Sequence, residues 1–216
     1  MKITLNPGQD LFFTSDTHIN HKNICRGVSS WTGDVDRTRD FKDLDSMNST
    51  IIDNINRMVG QDDILVHLGD FSFGGHTHIP EFRQRILCQN IMLVLGNHDE
   101  HIQKNTGNYQ ALFSSVHNYL ELEVVRPSHA IFGGTIKHNF VLEHFPIASW
   151  NNMSRGWMHL HGHVHFPKDK KLGPGKMLDV GVDGNDYMPY SLSEVVKLLS
   201  DRPIKSLFNF DHHENQ

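Results

Sequence analysis

Short apolar runs alternate with amphipathic stretches along the first half of the chain. Three of these runs occupy residues 11–14, 64–68 and 91–95. They are rich in β-branched and aromatic residues, which predicts buried strands. From Phe41 to Val59, apolar residues recur every three or four positions, which predicts a helix with its C-cap at Gly60. A shorter helix, with Pro in its first turn, is predicted over residues 80–87. Residues 10–96 are therefore expected to form a β-α-β-α-β unit with a parallel sheet.

The second half shows a different pattern. The predicted elements are strands within 115–145 with turns at 126–128 and 133–134, a strand near 158–160, and an exposed hairpin loop over 166–176. Residues 191–200 begin with Ser-x-x-Glu, a capping box that predicts a short helix. The tail after Phe210 is expected to fray. We expect a parallel half and a more antiparallel half within one domain spanning residues 1–216.

Composition and charge narrow the class of protein. The 216 residues are 38% hydrophobic and 21% charged, as in an ordinary globular protein. The net charge of −5 leaves no broad basic surface, which argues against long duplex nucleic acid as a partner. Two cysteines cannot form a disulfide framework, so a reducing, cytoplasmic location is favoured. We find no signal peptide and no apolar run of membrane-spanning length, so no membrane association is expected.

Metal-binding residue types follow the predicted strands. The segments are Asp16-Thr17-His18, Gly69-Asp70, Gly96-Asn97-His98-Asp99, Glu143-His144 and His161-Gly162-His163-Val164-His165. In open α/β sheets, sites form at the carboxyl ends of strands. In an extended chain, residues i and i+2 point the same way about 6–7 Å apart, so Asp16 with His18, and His163 with His165, could span two metals. Carboxylate, imidazole and amide donors suit Mn²⁺, Zn²⁺ or Fe rather than metals bound by thiolates.

This ordered set of motifs resembles the calcineurin-like metallophosphoesterases. The resemblance spans residues 10–165, and the stretches SDTHxxHKNI and HLGDFSFG look like those of small stand-alone bacterial and phage members. It implies an α/β fold, a mixed β-sandwich flanked by α-helices. Two departures are visible. Gly69-Asp70 is followed by Phe-Ser-Phe-Gly instead of Val-Asp-Arg-Gly, which argues against a protein phosphatase, and Ile19-Asn20 stands where Phe-Gly is expected.

The resemblance also implies a two-metal site, with Mn²⁺ favoured and Zn²⁺, Fe or Ni²⁺ as alternatives. The first metal would be bound by Asp16, His18, bridging Asp70 and His165, and the second by Asp70, Asn97, His144 and His163. A hydroxide bridging the metals would attack phosphorus in line. His98 would protonate the leaving group or hold a phosphate oxygen, and Asp99 could orient its imidazole.

A polar segment directly after the first metal motif is a candidate for substrate binding. His21, Asn23 and Arg26 could form a cationic loop that grips phosphate, or they could be the solvated start of a helix. Most other histidines are assigned structural or surface roles. These are His67 in the core, His117, His129 and His138 on the surface, His159 and His161 as structural or supporting residues, and His212 and His213 in the tail. His76, His78 and His101 lie in loops after the site motifs, where solvated positions are favoured over contact with substrate. For Trp150 and Trp157, packing in the core or at the site's rim is favoured over a role in stacking on a base.

The function predicted from these features is metal-dependent hydrolysis of a phosphate ester. A phosphodiester of a nucleotide or another small, flexible substrate is favoured, because His98 supplies an acid for a poor leaving group and no large cap domain is present. Two alternatives stay open: a phosphomonoesterase of the same family, and a non-catalytic metal-binding module. The sequence leaves the oligomeric state undecided.

Overall fold

The computed structural model describes residues 1–31, 37–128 and 134–205. Within these ranges the chain forms two mixed five-stranded sheets flanked by helices, so the expected α/β sandwich is confirmed. The strands are β1 (Lys2–Thr4), β2 (Leu11–Thr14), β3 (Ile64–His67), β4 (Asn90–Val94), β5 (Ser115–His117), β6 (Leu120–Pro127), β7 (Thr135–Leu142), β8 (Met158–His161), β9 (Met177–Asp179) and β10 (Tyr190–Ser191). The α-helices are α1 (Leu44–Met58), α2 (His78–Arg85), α3 (Glu100–Lys104) and α4 (Leu192–Leu199).

The first sheet contains the predicted β-α-β-α-β unit. Its strand order is β10-β2-β3-β4-β5, with β2 to β5 parallel and β10 antiparallel to β2. Helix α1 begins later than predicted, because Asp43 caps it by accepting a hydrogen bond from the Ser46 N–H at 2.8 Å. Its C-cap is Val59, not Gly60. The Gly60 N–H instead donates to the Asp63 carboxylate in the turn that leads into β3.

The second sheet is less antiparallel than expected. Its order is β1-β6-β7-β8-β9, and only the β6–β7 pair among these described strands is antiparallel. Because β8 and β9 run parallel, residues 166–176 form a crossover and not a hairpin joining the two strands. The segment folds back locally through one antiparallel bridge between Leu172 and Leu178. Residues 129–133, which include His129 and the first residue of the turn expected at 133–134, lie outside the described residues, as does the tail with His212 and His213.

Apolar side chains from facing strands form the core between the sheets. Phe13 and Phe140 meet there with ring centroids 5.2 Å apart, and Leu160 is fully buried beside them. The opposite face of the first sheet is covered by α1 and α2, whose Ile51 and Phe82 lie in a second buried cluster. Helix α4 begins with the predicted capping box and packs into the inter-sheet core. This packing fixes the two sheets against each other. It thereby holds the carboxyl ends of β2, β3, β4, β7 and β8 at one edge of the sandwich.

Three further features of the fold concern the cysteines, the tryptophans and the length of the helices. Cys25 and Cys88 are both buried, and each is a free thiol. Trp150 packs in a small cluster on the outer face of the second sheet, with Trp157 partly buried against it, as expected. No helix within the described ranges is long and apolar enough to cross a membrane.

Candidate metal centre

The seven predicted ligands all lie on connections that leave the carboxyl ends of strands. Asp16 and His18 follow β2, Asp70 follows β3, Asn97 follows β4, His144 follows β7, and His163 and His165 follow β8. Both sheets therefore contribute donors to one edge of the sandwich. The structure brings the seven side chains into two adjoining groups.

The first group consists of Asp16, His18 and His165. The Nε2 atoms of the two histidines are 3.2 Å apart, and His165 Nε2 lies 3.5 Å from Asp16 Oδ1. Asp16 is completely buried, and this burial raises the pKa of its carboxyl to about 6. Three converging donors around a desolvated carboxylate form an arrangement that a cation would stabilise, since it would compensate the buried negative charge.

Asp70 connects the first group to the second. Its Oδ2 atom lies 3.4 Å from His18 Nε2 and 3.5 Å from His144 Nε2. Burial opposes ionisation, but the hydrogen bond with His144 and the charge of His18 hold the pKa of Asp70 well below its usual value. The same contact, against the effect of burial, raises the pKa of His144 to about 9. One carboxylate oxygen is thus shared between two sets of ligand atoms.

Asn97 and His163 complete the second group on its solvent side. Asn97 Oδ1 lies 3.1 Å from His144 Nε2 and 2.9 Å from His163 Nδ1. Both residues are exposed, whereas His144 and Asp70 are buried. The second group is therefore the one more open to an approaching substrate.

The ligand loops have left-handed backbone conformations, so the extended geometry assumed for the i, i+2 pairs is wrong. Positive φ angles occur at Asp16 (56°), His18 (47°), Asp70 (56°), His163 (72°) and His165 (52°). Such angles are uncommon for residues other than glycine and cost about 1–3 kcal/mol each where they are strained. Hydrogen bonds between loops hold them, since the Asp16 N–H donates to Gly69 O and the His18 N–H donates to Asp70 O, each at 3.0 Å.

Two glycines are required by close approach. A Cβ on Gly162 would collide with the Ser15 side chain and the Asp16 carboxylate, and one on Gly96 would collide with Asp70. In this arrangement the His163 N–H reaches Asp16, donating at 3.0 Å to Oδ2. The second sheet's ligand loop thereby contacts a ligand of the first sheet directly.

Hydrogen bonds behind the ligands orient the imidazoles. His144 Nδ1 donates to Leu68 O at 2.7 Å, and His165 Nδ1 donates to Asp183 Oδ2 at 2.8 Å, which leaves both Nε2 atoms facing the centre. Asp183 also accepts from buried Arg39, whose Nη2 donates in addition to Asp16 O. Arg39 and Asp183 are not among the site residues predicted from the motifs. Asp183 could have been predicted as a site residue, because it follows a short apolar strand, β9, as the metal ligands follow theirs.

Asp99 does not orient His98, contrary to the expectation. Its Oδ2 accepts from the Asp70 and Gly96 N–H groups at 2.9 and 2.8 Å, and its Oδ1 accepts from Phe71 N–H at 3.0 Å. The carboxylate therefore fixes the backbone on which Asp70 and the next ligand loop lie. His98 is exposed, and its own N–H donates to Asp70 Oδ1 at 2.9 Å.

The three predicted substrate-binding residues separate in the structure. His21 reaches the site, with its ring centroid 5.3 Å from that of His18, and burial followed by the charge of His98 lowers its pKa to about 4, so it is neutral at pH 7. Asn23 instead accepts hydrogen bonds from the Ser30 backbone and hydroxyl. Arg26 pairs with Asp40 at 2.9 Å and donates to Thr38. Of the two alternatives, the start of a helix matches the structure: Lys22–Ile24 form a 3-10 helix, and His21 Nδ1 caps it by accepting from the Ile24 N–H at 3.1 Å. The three residues do not converge into a cationic phosphate grip.

The remaining described histidines divide largely as expected. His67 is fully buried, with Nε2 2.9 Å from Thr17 Oγ1, and His159 and His161 are also buried, so their structural assignment is confirmed. His76 is exposed, while His78 and His101 are partly buried. His117 and His138 are half-buried and not on the open surface. The Nε2 atoms of both rings are buried and have no hydrogen-bond partner among the described residues.

The geometry defines an α/β sandwich with a candidate metal site, rich in Asp and His, at its strand ends. The sequence profile of the calcineurin-like phosphoesterases matches residues 11–207, and the chain belongs to this family. The expected resemblance is thus confirmed, and the family's members hydrolyse phosphate esters with divalent metal ions.

Its relatives include proteins from archaea and phages. An uncharacterized protein of Methanocaldococcus jannaschii, MJ1445, is 27% identical over 209 residues, covering 92% of this chain and 96% of its own length. The Gene 66 protein of Mycobacterium phage D29 is 26% identical, covering 89% and 96%. A crystal structure of a protein of unknown function from Aquifex aeolicus, AQ665, superposes with a TM-score of 0.59 at 22% identity, covering 89% of this chain and all of that one. This likeness supports the fold.

Proposed function

We propose that this chain hydrolyses phosphodiesters of a nucleotide or another small, flexible substrate, using two divalent ions, with Mn²⁺ favoured over Zn²⁺, Fe or Ni²⁺. The observation that carries the proposal is the position of Asp70, whose Oδ2 lies within 3.5 Å of ligand nitrogens from both groups. The donors are carboxylate, imidazole and amide, a set suited to such ions. The residues fit two ions because the candidate ligand atoms converge around two buried, desolvated carboxylates.

His98 is the residue proposed to act as the acid. Two divalent ions held by the two ligand groups would supply Lewis acidity: they would activate a water as nucleophile and neutralise charge on the phosphoryl oxygens. His98 lines an open cavity of about 250 Å³ beside Asn97, and its ring centroid is 5.5 Å from that of His18. From there its imidazole can donate a proton to the departing oxygen. Asp99 contributes by fixing the loop that carries both His98 and Asn97.

The choice of substrate and location rests on composition. A net charge of −5 supports a small phosphate ester over long duplex nucleic acid. Two buried thiols that stay unpaired support the reducing cytoplasm of a bacterial or phage-infected cell.

Hydrolysis of bis(p-nitrophenyl) phosphate and p-nitrophenyl phosphate by the Mn²⁺-loaded protein tests the proposal. We expect the diester to be cleaved faster than the monoester, and Asp70→Asn to abolish turnover of both. An alkyl diester, whose leaving group is poorer, serves as a third substrate. His98→Gln should slow its cleavage by about 10²-fold or more with both ions retained. Asp40→Asn, on the exposed surface, is the matched carboxylate control and should leave the rate unchanged.

The other results would each overturn part of the proposal. Faster cleavage of the monoester would make the protein a phosphomonoesterase. No turnover of either ester, with two ions bound by calorimetry, would make it a non-catalytic metal-binding module. An unchanged alkyl diester rate in His98→Gln would remove His98 from the acid role.

A further inference from the structure

A second cavity, of about 650 Å³, lies beside the candidate metal centre. Its lining residues come from the segment after the first ligand loop, from Trp31, from the first residue of α1, and from the loop before α2 with that helix's first residue. They include His21, Asn23, Trp31, Leu44 and Phe73. The volume is in the range of small-molecule sites, and none of these residues is a candidate metal ligand.

The cavity wall is continuous with the catalytic cleft. His21 lies between them, with its ring centroid 5.3 Å from that of His18 and 4.0 Å from that of Phe73. Phe73 is in turn 5.1 Å from His98 and lines the smaller cavity as well. A group attached to a phosphate at the centre could therefore extend directly into the larger cavity on the side of the proposed acid.

Flat rings dominate the apolar part of this wall. Trp31 is 43% exposed although it is a large apolar side chain, and its ring lies 5.9 Å from that of His21. Phe73 and His21 add two more rings, whereas Leu44 is the one aliphatic side chain among the described lining residues. Such walls favour a planar aromatic guest that stacks on them over a flexible alkyl chain.

Asn23, one of the predicted phosphate-binding residues that turn away from the metals, shapes this loop instead. Asn23 Oδ1 accepts from both the N–H and the hydroxyl of Ser30, at 3.0 and 2.8 Å. The adjacent Ser29 hydroxyl accepts from the Trp31 N–H at 3.1 Å. These bonds hold the segment that carries Trp31 before any ligand arrives, which reduces the ordering cost of binding.

We infer that this cavity binds a nucleobase carried by the substrate, with Trp31 as the stacking residue that determines the preference for it. The inference rests on the proposed phosphoesterase function and adds its specificity site. The base would belong to the part of the ester that extends past His98, so that it adjoins the leaving oxygen.

Equilibrium binding to the Mn²⁺-loaded protein tests this. The probes are a non-hydrolysable phosphonate of adenosine and the same ribose phosphonate without the base, measured by calorimetry. Stacking on one aromatic side chain is worth about 5- to 150-fold in affinity, so we expect the adenosine probe to bind at least about 10-fold more tightly. Trp31→Ala should reduce this preference to about 2-fold or less with the ribose phosphonate unaffected. Trp31→Phe should retain most of it.

Tyr119→Ala is the matched control, because Tyr119 is also an aromatic residue with 43% exposure but does not line the cavity. A preference that is absent in the wild type, or that survives Trp31→Ala, overturns the inference. So does a hexyl phosphonate that binds as tightly as the adenosine probe. If the protein still hydrolyses the diester when one of these results is obtained, the base site is refuted and the proposed phosphoesterase function stands. If no phosphonate binds and no ester is cleaved, the proposed function itself fails.

Discussion

Replacing Asp183 by Asn tests whether the metal centre depends on an ion pair outside the ligand set. Asp183 accepts from Arg39 Nε and Nη2, each at 2.8 Å, and from His165 Nδ1 at 2.8 Å. The Arg39 side chain is 2% exposed and that of Asp183 is 17% exposed. The substitution keeps the shape of the side chain but removes the charge that balances a buried guanidinium.

The size of the effect follows from what Arg39 retains. Removing one partner of a buried ion pair costs about 3–5 kcal/mol, because the other charge stays buried without compensation. Arg39 still donates to the backbone oxygens of Asp16 and Thr17, and Asp183 is not fully buried, so we expect a loss of about 3 kcal/mol. Since His165 also loses its strongest orienting acceptor, Mn²⁺ affinity should fall by about 10- to 100-fold.

Urea unfolding in the presence of a chelator measures the first effect, and titration calorimetry with Mn²⁺ measures the second. Asp40→Asn is the control, because Asp40 pairs with Arg26 at 2.9 Å on the surface, where its side chain is 84% exposed. An exposed pair contributes little, so the control should change neither quantity. Equal losses of stability in the two variants would refute the argument from burial. A destabilised Asp183→Asn with normal Mn²⁺ affinity would refute the orienting role.

Two further predictions concern packing and pH. Gly162→Ala should destabilise the protein by about 1–3 kcal/mol and weaken Mn²⁺ binding, because the new Cβ would collide with the Asp16 carboxylate; a normal unfolding midpoint and titration would contradict this. Burial lowers the pKa of His159 to about 4 from 6.5, so the unfolded chain binds more protons below pH 6.5 and stability falls as the pH drops from 6.5 towards 4. In the presence of a chelator, the loss of stability between pH 7.5 and 4.5 should be about 2 to 3 kcal/mol smaller in His159→Gln than in the wild type. An equal loss in both would show that His159 does not titrate this way.

The strand ends could be predicted because they depend on local patterns. The apolar runs place β2, β3 and β4 within one residue of their observed bounds, and a parallel sheet then brings Asp16, Asp70 and Asn97 to one edge. The start of α4 could be predicted for the same reason, because its capping box involves residues only three positions apart. The topology of the second sheet was harder, because a short apolar run such as β8 carries no information about whether its neighbour is parallel.

Contacts made across the fold could not be predicted from neighbours in sequence. Arg39 and Asp183 are 144 positions apart, so no spacing rule connects them. Because Asp99 is next to His98 in sequence, its carboxylate was expected to orient the His98 imidazole. Adjacent side chains on this tight loop point apart. The Asp99 carboxylate turns instead to three backbone N–H groups.

The backbone of the ligand loops shows why the two sheets act as one unit. A positive φ at Asp16, His18 and Asp70 costs energy that only surrounding contacts can offset. Those contacts cross between strands, since the Asp16 and His18 N–H groups bond to the β3 loop. They also cross between sheets, since the His163 N–H donates to the Asp16 carboxylate. Because each ligand loop is held by another, displacing one relaxes its neighbours, and substitutions behind the ligands should therefore impair both groups together rather than one.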